Sequence, residues 1–466
     1  MVARPNHPED KVRGLQRQLW VCAKRSGTRR FHALYDRIFR GDVLREAWRR
    51  VKANRGAAGV DGESIAAIEA MDVDAFLDAI QADLRAGRYR PQPVRRCHIP
   101  KGDGKQRPLG IPTVRDRVVQ QAAKLVIEPI FEADFAPTSF GFRPKRNATQ
   151  ALEAIREAGN RGYNFVVDAD IRSFFDSIDQ GILMKLVAER ISDRRVLKLI
   201  RKWLQAGVME DGTVRETLAG TPQGGVISPL LANIILNAFD HAWARECGHL
   251  GILVRYADDF VILSRTQTQA EEAMVRVREL LARLRLELHL GKTRLVNLDR
   301  GQEGFIFLGC MIRKRRSIQR NPRRYYVQRW PSPRAMTRLR QRVHELTSAR
   351  RSGLQDVTAL IQLLNPVLRG WGSYFRTGNA FAKFNQLDRY VHGRITRWLW
   401  RRGGQRTRFW MHTWPPQRLY SLGLHRLSGS VGYPTHATPR RPSASRVREI
   451  RKHGLKGGPA GPGLPS

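Results

Sequence analysis

Two adjacent carboxylates, Asp258 and Asp259, stand in RYADDFVIL (255–263), a run that is otherwise almost wholly apolar. Alternation in ILVRYADDFVIL predicts two strands joined by a tight turn near Ala257 and Asp258, because Asp tolerates turn conformations that branched residues do not. The acids then sit at a hairpin tip. A second pair, Asp168 and Asp170, lies in YNFVVDADIRSFFDSID, on one face of a strand that runs into a helix or turn. Two strands can bring Asp170 beside Asp258 and Asp259. Three clustered carboxylates repel one another and persist only if a cation neutralises them; hard oxygen ligands without His or Cys point to magnesium. Two such ions about 4 Å apart would clamp the attacking and departing oxygens of a phosphoryl transfer. Acids at a hairpin tip can also be merely solvated, and an isolated pair does not decide between the two.

The bulk properties narrow the choice. A chain of 466 residues at 41% hydrophobic content can bury a real core and is expected to divide into two to four domains. Lysine and arginine number 83 against 42 acidic residues, a net charge of +41 that repels itself and that folding does not require. Nucleic acid is the obvious partner. A membrane surface would also attract such charge, but the sequence has no apolar stretch of spanning length and no signal-type apolar region at its start. A soluble, cytoplasmic protein is expected. Cys22, Cys97, Cys247 and Cys310 are far apart, so no CxxC pair is available for zinc or redox chemistry.

The elements that must position the acids follow from periodicity. Residues 1–90 read as a helical extension, with VLREAWRRVKANRG and DAFLDAIQADLRAGRY separated by the glycine-rich GAAGVDG. From 91 to 312 short β-rich runs (FVVDADI, ILVRYADDFVIL, GFIFLGC) alternate with helical stretches, which predicts an α+β domain around a central sheet. A basic, proline-punctuated boundary follows. Over 325–400 Met336, Leu339, Val343 and Leu346 share one helix face, and Leu354, Val357, Ile361, Leu364 and Leu368 another. Residues 401–466 form a basic region, and from about 430 the chain is rich in Pro, Gly, Ser and Arg and is expected to stay flexible until it meets a partner.

YADD between apolar strands, preceded by FVVDADIRSFFDSID and GTPQGGVISPLLANIILN, resembles the palm of a reverse transcriptase, specifically that of bacterial group II introns. The likeness continues through RPLGIPTVRDRVVQQA, SFGFRP, LELHLGKTRLV and FIFLG in the family's order. It implies a right-hand polymerase of fingers and palm with a helical thumb, in which a primer 3′ hydroxyl attacks a deoxynucleoside triphosphate held by two magnesium ions. On this resemblance Asp170, Asp258 and Asp259 occupy the metal-binding positions, with the backbone carbonyl of Ile171 as an extra ligand, while Asp168 and Asp176 are structural. Phe175 falls where related polymerases place a ring under the sugar, selecting against a 2′ hydroxyl; an ordinary core phenylalanine is the alternative. Lys101 and Arg107 belong to what resembles a finger hairpin closing over the triphosphate, whereas Lys105 can be a solvated loop charge. Gln223 and its neighbouring small residues would let backbone approach nucleotide and template, a plain turn being the alternative. Lys292 matches a lysine that either protonates departing pyrophosphate, contacts phosphate or is simply exposed.

Residues 363–399 are similar to the maturase-specific domain that intron-encoded reverse transcriptases carry as a thumb, through Asn365, Arg369, Gly370, Trp371, Tyr374 and Phe375. Aromatics interleaved with cations, among them Arg369, Trp371, Tyr374, Arg376, Arg394 and Arg397, could stack on bases while contacting phosphates; Trp371 and Phe375 could equally be thumb core. No cysteine follows Cys310, so the HNH endonuclease of longer relatives is expected to be absent, leaving a short basic DNA-binding region and flexible tail over 401–466. The resemblance implies an RNA-directed DNA polymerase that also acts as maturase and supports retromobility. Its partners would be group II intron RNA, target DNA, an RNA template/DNA primer duplex and dNTPs, within a cytoplasmic ribonucleoprotein. A relative domesticated for repair or defence, and a non-catalytic splicing factor with a relic palm, are the alternatives.

Overall fold

The computed structural model describes residues 8–100, 106–210, 213–215, 220, 224–316, 324–348, 356–403 and 414–432. The chain divides into two compact units, Met1–Gln328 and Arg329–Ser466. Lys101, Lys105 and Gln223 lie outside the described residues, as does 433–466, where most of the expected tail falls.

The first unit is organised by the helix Val114–Glu132, which is buried along most of its length and on nearly every side, with the polar side chains of Asp116, Arg117, Gln120, Gln121 and Glu128 enclosed among its apolar ones. Its first turn is capped by Thr113, whose hydroxyl accepts the Asp116 N–H at 3.0 Å. Helices Pro8–Arg25 and Gly41–Ala53 pack on it, so the amino-terminal helices share one hydrophobic core with the palm. The connection GAAGVDG docks on the same region: Arg95 donates to the Ala58 carbonyl from Nε and Nη2 at 3.2 and 2.8 Å.

Eleven strands make three sheets among the described residues. In chain order they are β1 (Val94–Pro100), β2 (Gln106–Ile111), β3 (Phe165–Ala169), β4 (Val208–Glu210), β5 (Thr213–Arg215), β6 (Ile252–Tyr256), β7 (Asp259–Ser264), β8 (Arg294–Asn297), β9 (Gly304–Phe307), β10 (Cys310–Arg316) and β11 (Tyr325–Pro331). The hairpin β1–β2 carries PLGIP and belongs to a sheet ordered β2-β1-β4-β5. The sheet β6-β7-β3-β8 is antiparallel throughout and lies over the core, with Val166, Val167, Val261 and Ile262 fully buried. This is the α+β fingers-and-palm architecture expected from the sequence.

The second unit is helical: Pro333–Leu346, Val357–Phe375, Phe381–Gly403 and the short Pro416–Ser421. Met336, Leu339, Val343 and Leu346 are buried together, as are Val357, Ile361, Leu364 and Leu368, the faces that periodicity marks as apolar. Leu354 lies outside the described residues. Residues 414–432, which fall within the basic region expected over 401–466, fold onto this bundle. Asp388 accepts the N–H groups of Leu427 and Ser428, both at 2.9 Å. Asn365 donates to the Gly423 carbonyl at 2.9 Å and accepts from the His425 N–H at 2.8 Å. Leu419, Leu424 and Leu427 supply the buried contacts; three leucines scattered through a polar segment carry no helical period, which is why pattern reading misses them.

Candidate active site

Register brings the acids together. Antiparallel pairing of β3 with β7 sets Asp168 opposite Val261 and Ala169 opposite Phe260, so the next residue, Asp170, comes level with Asp259 at the β3 end. Residues two apart share a face of a strand, which puts Asp168, Asp170 and Asp259 on the same one. The electrostatics agree: the Asp259 carboxyl is pushed up to about 6, first by desolvation in the cleft and then by repulsion from Asp258, Asp170 and Asp168, with Lys292 opposing. Asp259 as a residue is exposed at the tip. Its carboxyl therefore meets water on one side and a crowded acidic cleft on the other.

Two cations already answer this charge. Lys292 donates from Nζ to Asp170 Oδ2 at 2.6 Å, and Arg294 from Nε to Asp168 Oδ2 at 3.0 Å. Burial holds the Asp168 carboxyl above the usual carboxylate range, with Arg294 offsetting only part of the rise and Asp170 adding to it. Asp168 is thereby tied to β8, which fits a supporting role.

The turn itself is strained. β6 and β7 pair from Ile252↔Leu263 to Tyr256↔Asp259, leaving Ala257 and Asp258 as a two-residue loop, the expected hairpin tip. Ala257 has φ +58° without being glycine, a conformation that costs on the order of 1 kcal/mol and needs its surroundings to hold it. The holding group is Arg255, fully buried in an apolar strand. Its Nη1 donates to the Ala257 carbonyl at 2.9 Å and to Asn233 Oδ1 at 3.1 Å, while Nε and Nη2 fork onto Asp240 at 2.8 and 2.5 Å. Asn233 and Asp240 lie seven residues apart on the helix Ser228–Ala242 and are both buried. Asn233 also donates to the Gly141 carbonyl at 2.8 Å. A Cβ on Gly141 would collide with the Ala257 backbone, so SFGF needs glycine there. Sequence reasoning missed Arg255, Asn233 and Asp240; the available signal was one arginine inside a strand of apolar residues, which demands a buried acid elsewhere.

Just after β3, the Arg172 N–H donates to the Glu287 carbonyl and the His289 N–H to the Asp170 carbonyl, both at 2.8 Å. Ile171 and Leu288 are thus a non-bonded antiparallel pair, and the Ile171 carbonyl turns away from that segment. Phe175 is buried and meets Phe174 edge-on, ring centroids 5.2 Å apart. A Cβ on Gly220 would lie 2.7 Å from the Phe175 carbonyl oxygen, and one on Gly224 would collide with the Gly110 carbonyl. The glycines of GTPQGG therefore lie against the segment after Asp170 and against PLGIP respectively. Arg107 sits on β2 opposite Ile99.

The acidic set suits a hard divalent cation by ligand chemistry and by charge crowding. Among the described residues no three acidic, histidine or cysteine side chains are drawn together as a metal-holding group, and the Lys292 ammonium rests on Asp170 instead.

In the second unit the expected nucleic-acid contacts separate into two kinds. Arg369, Arg376 and Arg397 are exposed and Tyr374 is 41% exposed. Trp371 is half-buried against Phe375 and Phe384, at 4.6 and 5.4 Å between ring centroids, so it packs as thumb core. Arg394 corrects the sequence reading. It is buried, donates from Nε to Thr347 Oγ1 at 2.9 Å and from Nη2 to the Thr347 carbonyl at 3.3 Å, and so fastens the end of helix Pro333–Leu346 rather than facing solvent.

Fold and site together define a nucleotide polymerase palm with a helical thumb. Residues 99–312 match the family described as reverse transcriptase (RNA-dependent DNA polymerase), and 336–414 match the group II intron maturase-specific domain. Protein YkfC of Escherichia coli (strain K12) is 36% identical over 341 residues, covering 65% of this chain and 88% of YkfC. The group II intron-encoded protein LtrA of Lactococcus lactis subsp. cremoris is 40% identical over 212 residues, covering 45% of this chain and 35% of LtrA. An uncharacterized 91 kDa protein in the cob intron of Schizosaccharomyces pombe is 27% identical over 409 residues, 73% of this chain and 50% of that one. The chain belongs to the family of group II intron reverse transcriptases that carry a maturase domain.

Proposed function

We propose that this protein copies RNA into DNA at the cleft formed by Asp170, Asp258 and Asp259, with Mg2+ held by those carboxylates, and that it also binds group II intron RNA to promote splicing and retromobility. The observation that carries the reading is the convergence of acids from two separate segments, crowded enough to push Asp259 up to about 6.

When bound, two magnesium ions would supply activation of the primer hydroxyl and charge compensation for the pyrophosphate. The chain's own residues do the rest. Asp170 and Asp259, each one residue beyond the Ala169↔Phe260 pair, would hold oxygen ligands level across β3 and β7, and Asp258 would add a third from the turn. Lys292, poised at Asp170 Oδ2, is an ammonium that can pass from carboxylate to phosphate when a cation takes its place. Phe175, buried five residues after Asp170, would on the family resemblance crowd a ribose 2′ hydroxyl. Exposed Arg369, Arg376 and Arg397 of the thumb would meet RNA phosphates, and target DNA and the template–primer duplex are further partners of so basic a surface. Lys101, Arg107 and Gln223 are assigned to the triphosphate on family resemblance.

Primer extension by the purified protein on an RNA template in Mg2+ tests this. Extension with dNTPs is expected in the wild type and its loss in Asp258→Asn/Asp259→Asn, with intron splicing largely retained because the RNA performs that chemistry. Extension by the double variant would contradict the assignment.

A further inference from the structure

Beside the catalytic turn stands an aromatic residue that the fold does not use. Residues 138–140 run parallel to β6, the edge strand of the palm sheet: the Arg255 N–H donates to the Thr138 carbonyl at 2.9 Å and the Phe140 N–H to the Arg255 carbonyl at 2.8 Å. The segment therefore travels toward the hairpin tip, and Gly141 lies against the Ala257 backbone. The next residue, Phe142, is 50% exposed and has φ +54°.

Both properties are unfavourable. A bulky residue in the left-handed region is a genuine outlier, and an aromatic ring in water forgoes its burial energy. Phe142 has neither a ring partner nor a cation over its face among the described residues. Its neighbours are the opposite. Phe140 is buried with Arg146 over its ring. Arg143 is buried, forking onto Glu132 and donating to the Ala136 and Ser139 carbonyls at 2.6 and 2.8 Å. The loop is thus clamped on both sides of a ring that points outward, with an exposed cation, Lys145, three residues further along the chain. Strain that surrounding structure enforces at a site is a signature of function.

We propose that Phe142 is a contact for the template–primer duplex, its ring lying against the nucleotide that passes over the Ala257–Asp258 turn beside the primer end. Every base offers a flat face for such a contact, so it grips without reading sequence. The assignment rests on the polymerase reading given above.

The test is fluorescence anisotropy with an RNA-template/DNA-primer duplex, alongside extension kinetics. Phe142→Ala is expected to raise the duplex Kd roughly tenfold and leave kcat at saturating duplex and the KM for dNTP unchanged. Phe142→Tyr and Phe142→Trp should bind as wild type, as should Met71→Ala, which removes an even more exposed apolar side chain elsewhere. Phe142→Gly should lose the same affinity yet melt about 1–2 °C above Phe142→Ala, because glycine accepts the backbone conformation. Unchanged duplex affinity in Phe142→Ala overturns the inference, as does a Gly variant no more stable than the Ala variant. A wild-type protein that extends no primer would instead remove the polymerase reading itself.

Discussion

The buried guanidinium of Arg255 donates to the carbonyl of Ala257, two residues along the same chain, at 2.9 Å. That bond holds the one strained residue of the hairpin that presents Asp258 and Asp259. Asn233 stands behind it, linking Arg255 to Gly141. Asn233→Ala leaves the Arg255–Asp240 pair intact but strips two buried hydrogen bonds, and is expected to destabilise the protein by about 1–3 kcal/mol. Because the turn loosens, kcat for primer extension should fall by more than duplex affinity does. Urea unfolding and steady-state kinetics on one preparation measure both.

Arg255 itself is expected to be far less tolerant. Removing one partner of a buried ion pair leaves the other charge stranded, so Arg255→Ala should cost about 3–5 kcal/mol, read as a lower urea midpoint at unchanged slope.

The pH dependence of stability should carry the mark of Asp259. Its pKa is raised in the folded protein, so the folded state binds the extra proton and stability falls as pH rises from about 4, the unfolded value, to about 6, then levels off. In Asp259→Asn without divalent cations that fall should be shallower. At pH 7 the gain should be no more than about 1 kcal/mol, since the residue is exposed and water screens the repulsion. Mg2+ should stabilise the wild type more than the variant. Chemical denaturation at several pH values, with and without Mg2+, checks each part.

Two thumb arginines should behave in opposite ways. Arg394→Ala removes donors to Thr347 and is expected to lower thumb stability by about 1–3 kcal/mol with little effect on the salt dependence of RNA binding. Arg397→Ala should leave stability alone, weaken RNA binding and reduce the slope of log K against log salt by about 1. A flat salt response of the wild type would remove the case for an extended phosphate-binding surface.

The hairpin at Ala257 and Asp258 was legible in the sequence because alternation and turn chemistry are local signals; the pairing of β3 with β7 that brings Asp170 toward that tip is long-range, and only the family resemblance implied it. The two apolar faces of the thumb helices were legible, like the hairpin, from a local signal. Arg255 was not, because its partners Asn233 and Asp240 come from a helix whose approach only the folded chain fixes. Arg394 read as a surface cation because helical spacing cannot tell which arginine turns inward. The packing of residues 414–432 on the bundle was not legible, because Asp388 and Asn365, which hold them, lie far upstream and look like ordinary polar helix residues.

The central claim is that Asp170 and the Asp258–Asp259 pair bind the same divalent ions. Fe2+ placed in that site and supplied with ascorbate and peroxide cleaves only the backbone next to it. The account predicts cuts around both 168–172 and 256–260, suppressed by excess Mg2+ and by Asp259→Asn. Cleavage at one segment without the other, or cuts indifferent to Mg2+, would contradict it.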